Sequence, residues 1–185
     1  DFEGSILFKG KEIAGQKPYQ IARQGIAGTF QIPQTFPSLT GEQGLDVGNR
    51  FGNRKKYHIR RIEKIIDFVG LQDERKELTG TLNLLGKKKL MIGAALATEP
   101  EILMLDEPMA GSNAHEIKAL MELIRNINEE LGVTIIIIEH FMKVLTELTE
   151  RLLIIETGTE ICCGDPVEVT NNPKVIECYL GGDHD

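Results

Sequence analysis

The stretch EILMLDEPMAG, residues 101–111, decides how the rest of the chain is read. An unbroken apolar run ends in two adjacent carboxylates, Asp106 and Glu107. A second such run, VTIIIIEH at residues 133–140, follows AHEIKALMELIRNINEEL, in which Ile117, Leu120, Met121, Ile124 and Ile127 recur at helical spacing. Apolar strand, amphipathic helix and apolar strand predict a βαβ unit in a parallel sheet covered on both faces. Asn113 and Glu116 have the spacing of a capping box at the start of that helix, and Gly132 suits the position just past its end. In such sheets ligands bind beyond the carboxyl ends of the strands, where Asp106, Glu107, Glu139 and His140 are expected to emerge.

Outward from this unit the patterns are weaker. SILFKGKEI alternates like an edge or half-buried strand, and PYQIARQGI suggests a short helix closed by Gly25. Residues 31–56 carry Pro33, Pro37 and several glycines, which predicts a loop-rich, mobile or partner-facing segment. In YHIRRIEKIIDFVG, Ile59, Ile62, Ile65, Ile66 and Val69 share one helical face that Gly70 can terminate. A further helix is expected from Lys87 to Ala97, a hairpin in RLLIIETGTEICCG turning near Gly158, and a short helix in NPKVIECYLG. There is no internal repeat or low-complexity tract.

The 185 residues are enough for one domain, with or without a small subdomain. Hydrophobic residues make up 41% and charged residues 26%, and no window approaches the roughly 18 uninterrupted apolar residues of a membrane span, so a membrane role would be peripheral. A net charge of -7 argues against a broad basic surface for nucleic acid. Cys162, Cys163 and Cys178 show no zinc-ligand spacing and read as reduced thiols of the cytoplasm, with Cys162 and Cys163 packed in a strand. The chain opens at Asp1 and runs at once into the SILFKGKEI strand, which leads us to expect that a preceding portion belongs to it.

Acids at a strand end commonly cap helices or pair with cations. Here LDEP, then AGSN and a helix, then an apolar strand ending in His, form a compound pattern that isolated structural acids would not produce. From Gly4 to Gly181 the chain resembles the ATP-binding subunits of ABC transporters, specifically those of branched-chain amino acid importers. The likeness rests on GSILFKGKEI, QIARQGIAGTFQ, GAALATEPEILMLDEPMAG, IIIIEH and NNPKVIECYLG.

The resemblance implies a P-loop NTPase-like parallel-sheet core in a single domain, residues 1–185. Residues 32–97 would form a lid loop and a small helical subdomain; residues 1–31 and 98–185 would form the sheet core with a C-terminal hairpin and helix. It implies ATP and Mg²⁺ as cofactors, with Asp106 holding the metal through water, Glu107 polarising the attacking water and His140 contacting the γ-phosphate. Phosphoryl transfer needs charge neutralisation and positioning, which these groups supply. Gln31 would reach the metal from a loop that also touches the membrane subunit. Ser112 and Asn113 would form the loop that crosses a dimer interface, although helix capping accounts for Asn113 equally well. The partners implied are a second ATP-binding subunit, identical or not, and transmembrane permease subunits, with no nucleic acid. The location implied is the cytoplasm, peripheral at the inner face of the cell membrane.

The resemblance is incomplete. A phosphate loop needs G-x-x-x-x-G-K-S/T, whose backbone N–H groups and lysine cradle the phosphates. None occurs: Gly4 to Gly10-Lys11 and Gly80 to Gly86-Lys87 each hold one residue too many. In the family that loop and an aromatic adenine platform lie upstream of the strand matching SILFKG, so the chain is expected to begin after them. The family signature LSGGQ reads LNLLG here: Asn83 replaces serine, Leu84 and Leu85 replace the glycines, and Gly86 replaces glutamine. Lys87, Lys88 and Lys89 read as a solvated basic patch, and Gly28 stands where relatives often carry arginine. Two functions are therefore open: an ATP-hydrolysing importer subunit, or a non-catalytic remnant or partner subunit that binds ATP poorly. The transported solute is branched-chain amino acids by likeness, with amides such as urea as the other possibility.

Overall fold

The computed structural model describes residues 4–51 and 59–180. The chain divides into two compact units, Asp1–Ile138 and Glu139–Asp185.

In the first unit, β1 (Leu7–Phe8) and β2 (Lys11–Glu12) form an antiparallel pair where one continuous strand was expected. The chain reverses because Lys9 and Gly10 take φ values of 51° and 74°, a two-residue turn that glycine permits. There follow α1 (Pro18–Ala22), β3 (Ile26–Gly28), α2 (Gly41–Phe51), α3 (Ile59–Val69), 3-10 turns at Asp73–Lys76 and Thr79–Thr81, α4 (Leu84–Leu96), β4 (Ile102–Asp106), α5 (Ala114–Leu131) and β5 (Thr134–Ile138).

The expected βαβ unit is present. Strands β3, β4 and β5 form a parallel sheet in that order, with Ile26 opposite Ile102 and Asp106 opposite Ile138. Helix α5 starts at the predicted capping box and ends at Gly132, which adopts the left-handed conformation. Double coverage of the sheet is not observed. Leu103 and Leu105 are buried, but Met104, Ile136 and Ile138 are 43%, 46% and 58% exposed. The apolar runs record two apolar faces, of which the described residues cover one.

The segment 31–56 also departs from expectation, because α2 occupies its second half and hydrogen bonds fasten its first. Thr79 N–H donates to the Leu39 carbonyl, Thr79 Oγ1 to the Phe36 carbonyl and Gly41 N–H to the Glu77 carbonyl. Glycines 41, 44 and 48, which read as breakers, lie on one face of α2 and let α4 and the first 3-10 turn approach. A Cβ on Gly48 would stand 2.0 Å from the Ala94 carbonyl oxygen, and one on Gly41 2.8 Å from that of Glu74. Leu45, Ile62, Ile66, Val69, Leu90 and Ile92 fill the core between α2, α3 and α4. Residues 52–58, including the first residues of the expected Tyr57–Gly70 helix, lie outside the described residues. Helix α4 begins at Leu84, three residues earlier than expected, because Asn83 Oδ1 accepts from the Gly86 N–H and caps it.

The second unit holds α6 (Met142–Leu148), the hairpin β6 (Leu152–Glu156) and β7 (Thr159–Gly164), then α7 (Pro166–Thr170) and α8 (Pro173–Leu180). The hairpin turns at Thr157 and Gly158, both at positive φ, as Gly158 foretold. Helix α7 was not anticipated, although Asp165 capping it and Pro166 opening it are standard start signals. Cys162 and Cys163 lie on β7, where their Sγ atoms accept from Asn172 Nδ2 and Arg151 Nε.

Candidate functional site

The acid pair closes β4. Asp106 is its last residue and is exposed at the carboxyl end of this central strand. Glu107 continues the ladder by one bond, its N–H donating to the Ile138 carbonyl at 2.9 Å, and then turns with φ at +43°. That left-handed geometry is costly for a residue with a side chain and persists only where the surroundings enforce it. Here the Ala110 N–H donates back to the Glu107 carbonyl at 3.1 Å, while Pro108 and Met109 are buried.

Gln31 meets this turn from the other side. Strand β3 is extended by Thr29, whose N–H donates to the Met104 carbonyl, and two residues later Gln31 Nε2 donates to Glu107 Oε2 at 2.7 Å. Two residues selected from separate parts of the sequence are thus bonded directly, at the residue that follows the exposed Asp106. The amide donor orients the carboxylate.

The following turn explains Ser112 and Asn113. Asn113 Oδ1 accepts from the N–H groups of His115 and Glu116, and Glu116 Oε2 accepts from the Asn113 N–H, so Asn113 serves as the helix cap. Ser112 N–H donates to the Met109 carbonyl, and Ser112 Oγ accepts from Lys88 Nζ at 2.8 Å. Lys88 also donates to the Ala110 carbonyl at 2.5 Å and is only 2% exposed.

The expected solvated patch at Lys87 to Lys89 is therefore corrected. Helix α4 packs on more than one side, so three consecutive residues cannot all reach water. The missed signal was Lys88, Ile92 and Ala95, which fall on one face, and the latter two are buried. A buried ammonium is tolerable because hydrogen bonds replace its water. Asn83 and Gly86 stand at the start of the same helix as its cap, with Asn83 exposed. Leu84 reaches Gly111, where a Cβ would lie 3.4 Å from Leu84 Cδ2.

His140 belongs to the second unit. Its N–H donates to Glu139 Oε2 at 3.2 Å, its ring lies against Phe141 at 4.3 Å between centroids, and its side chain is 58% exposed. It is not a buried core histidine.

Asp106, Glu107 and the carbonyl oxygen of Gln31 are hard oxygen donors, the type that suits Mg²⁺. Among the described residues no group of three His, Cys, Asp or Glu could hold a metal ion by itself. This donor set fits magnesium bound by one or two carboxylates together with substrate phosphates and water. Near the Gln31 loop, Gln34, Thr35, Phe36, Gly44, Val47, Leu90, Met91 and Ala94 line a small, open, mostly apolar groove. Ile32 and Phe36, at its loop side, are 71% and 57% exposed. No helix among the described residues is long and apolar enough to cross a membrane.

A family model described as ABC transporter matches residues 1–110, and another described as branched-chain amino acid ATP-binding cassette transporter matches residues 160–185. The high-affinity branched-chain amino acid transport ATP-binding protein LivG of Escherichia coli (strain K12) is 34% identical over 96% of this chain and 76% of its own length. BraF of Pseudomonas aeruginosa, of the same description, is 33% identical with the same coverage. Among solved structures, the ADP conformation of MJ1267, an ATP-binding cassette of an ABC transporter, superposes with a TM-score of 0.84 at 27% identity, covering 97% of this chain and 77% of that one. The cbiO1 protein of Clostridium perfringens, part of an ABC transporter complex, gives 0.80 at 28% identity, covering 98% and 73%.

Proposed function

The chain belongs to the ABC transporter ATP-binding family, and from that premise we propose that it is the ATP-binding subunit of an importer that couples ATP hydrolysis to uptake of branched-chain amino acids. The observation that carries the reading is the Gln31–Glu107 hydrogen bond beside Asp106 at the carboxyl end of β4. Asp106 and Gln31 would hold Mg²⁺ with the nucleotide, which then supplies neutralisation of phosphate charge. By the family likeness Glu107 would polarise the attacking water and His140 would contact the terminal phosphate, while Asn83, Ser112 and Asn113 would face a second ATP-binding subunit; Gly86 is buried and serves the Asn83 cap. We assign residues 32–97 to the lid loop and helical subdomain, and the rest of the single domain to the sheet core with its hairpin and helix.

The groove beside Gln34 and Phe36 suits an apolar helix of a permease subunit, because it is concave, apolar and adjoins the loop carrying Gln31. That contact would hold the chain peripherally at the inner face of the membrane. The remnant reading is not favoured: relatives of this description match nearly the whole chain. The test is uptake of radiolabelled leucine into vesicles containing the whole gene product with its permease subunits. ATP-dependent uptake lost in Glu107→Gln is expected; uptake indifferent to ATP or to that substitution overturns the proposal.

A further inference from the structure

Resting on the reading of Glu107 as the group that polarises water, we infer that Lys88 is a positioning residue for Glu107, acting through the turn that separates them. The connection is continuous. Lys88 Nζ donates to the Ala110 carbonyl at 2.5 Å, and the Ala110 N–H donates to the Glu107 carbonyl at 3.1 Å. The same ammonium donates to Ser112 Oγ at 2.8 Å, and the Ser112 N–H closes the next turn on Met109. Lys88 thus grips two successive turns that begin at Glu107.

Glu107 needs such support. Its φ of +43° lies in the left-handed region, disfavoured for a residue bearing a Cβ. The Ile138 carbonyl holds its N–H on one side; Lys88 holds the turn on the other. An ordinary surface lysine does not do this. Burial to 2% exposure commits the ammonium to protein acceptors, so the acceptors are located as firmly as α4 itself. Because Lys88 lies five residues past the Asn83 cap, movement at the start of α4 is passed to the backbone of Glu107 rather than lost in solvent.

The experiment is solution NMR of the 185-residue chain, comparing wild type with Lys88→Met and Lys88→Arg. The methionine keeps the apolar stem without donors; the arginine restores donors. In Lys88→Met the strong contact between the amide and α protons of Glu107, diagnostic of its left-handed backbone, is expected to disappear. Exchange of the Ala110 and Ser112 amides is expected to quicken by about tenfold relative to α5. Lys88→Arg is expected to restore both. A purely structural lysine would lower stability throughout and leave the Glu107 backbone as it is. Retention of the Glu107 contact and of both protected amides in Lys88→Met overturns the inference. If Lys88→Met does not fold, Lys88→Gln, whose shorter polar head falls short of Ala110, is read by the same two outcomes. No nucleotide enters the measurement, so leucine uptake indifferent to ATP would overturn the proposed function and leave this result standing.

Discussion

Gln31 Nε2 donates to Glu107 Oε2 at 2.7 Å although the two residues are 76 positions apart in the chain. The bond joins the loop beyond β3 to the turn beyond β4, so the loop carrying Gln31 bears directly on the acid. Removing the donor in Gln31→Ala is expected to lower kcat for ATP in the whole gene product by about tenfold, equivalent to about 1.4 kcal/mol, with a smaller change in KM. Gln31→Glu is expected to lower it further, since a second carboxylate would repel the first. Steady-state kinetics of the two variants check this.

The 185 residues contain no G-x-x-x-x-G-K-S/T. Assayed alone, this polypeptide is expected to hydrolyse ATP negligibly, because the triphosphate lacks the lysine and backbone N–H groups that counter its charge. Phosphate release by the purified chain, at a rate abolished by Glu107→Gln, would refute that expectation.

Helices α2 and α4 are close because Gly48 has no side chain. Its absent Cβ would sit 2.0 Å from the Ala94 carbonyl oxygen and 3.1 Å from Ala97 Cβ. Gly48→Ala is expected to destabilise the chain by roughly 1–3 kcal/mol, despite alanine's better helix propensity. A lower urea midpoint with an unchanged slope would show it.

Arg75 donates through Nε and Nη2 to the two carboxylate oxygens of Glu42, at 2.9 and 2.8 Å, and lies 3.6 Å from Glu63. The Arg75 hydrogen bond holds the Glu42 carboxyl below its ordinary value of 4.5. A carboxyl lowered in the folded state contributes stability that is present above its unfolded value and lost as pH falls through the folded one. The chain is therefore expected to lose Tm below pH 4.5, and Glu42→Gln to flatten that limb while lowering Tm slightly near neutrality. Thermal melts across this range measure both effects.

The core of this fold was legible because its signals are local and redundant. The paired apolar runs, the Asn113–Glu116 box and Gly132 all state the same βαβ unit. The turn near Gly158 was equally plain, since a glycine between two apolar runs accepts the positive φ that it takes there, whereas the positive φ of Thr157 was not readable. What failed was tertiary. Glycines 41, 44 and 48 look like loop residues until α4 is placed against them, and Lys88 looks solvated until α4 is enclosed. At the site, Asp106 and Glu107 announced themselves by position, and Gln31 was reached through family likeness. The bond between Gln31 and Glu107 was not readable, because nothing in either segment encodes the distance between them.

The central claim is that Glu107 is the group that polarises water at the end of β4. ATP hydrolysis by the whole gene product carrying Glu107→Gln tests it most directly, with nucleotide binding measured on the same samples. Turnover is expected to fall by roughly 10²–10⁴-fold with nucleotide binding retained. Turnover within about twofold of wild type, less than 0.5 kcal/mol in the barrier, would contradict the assignment.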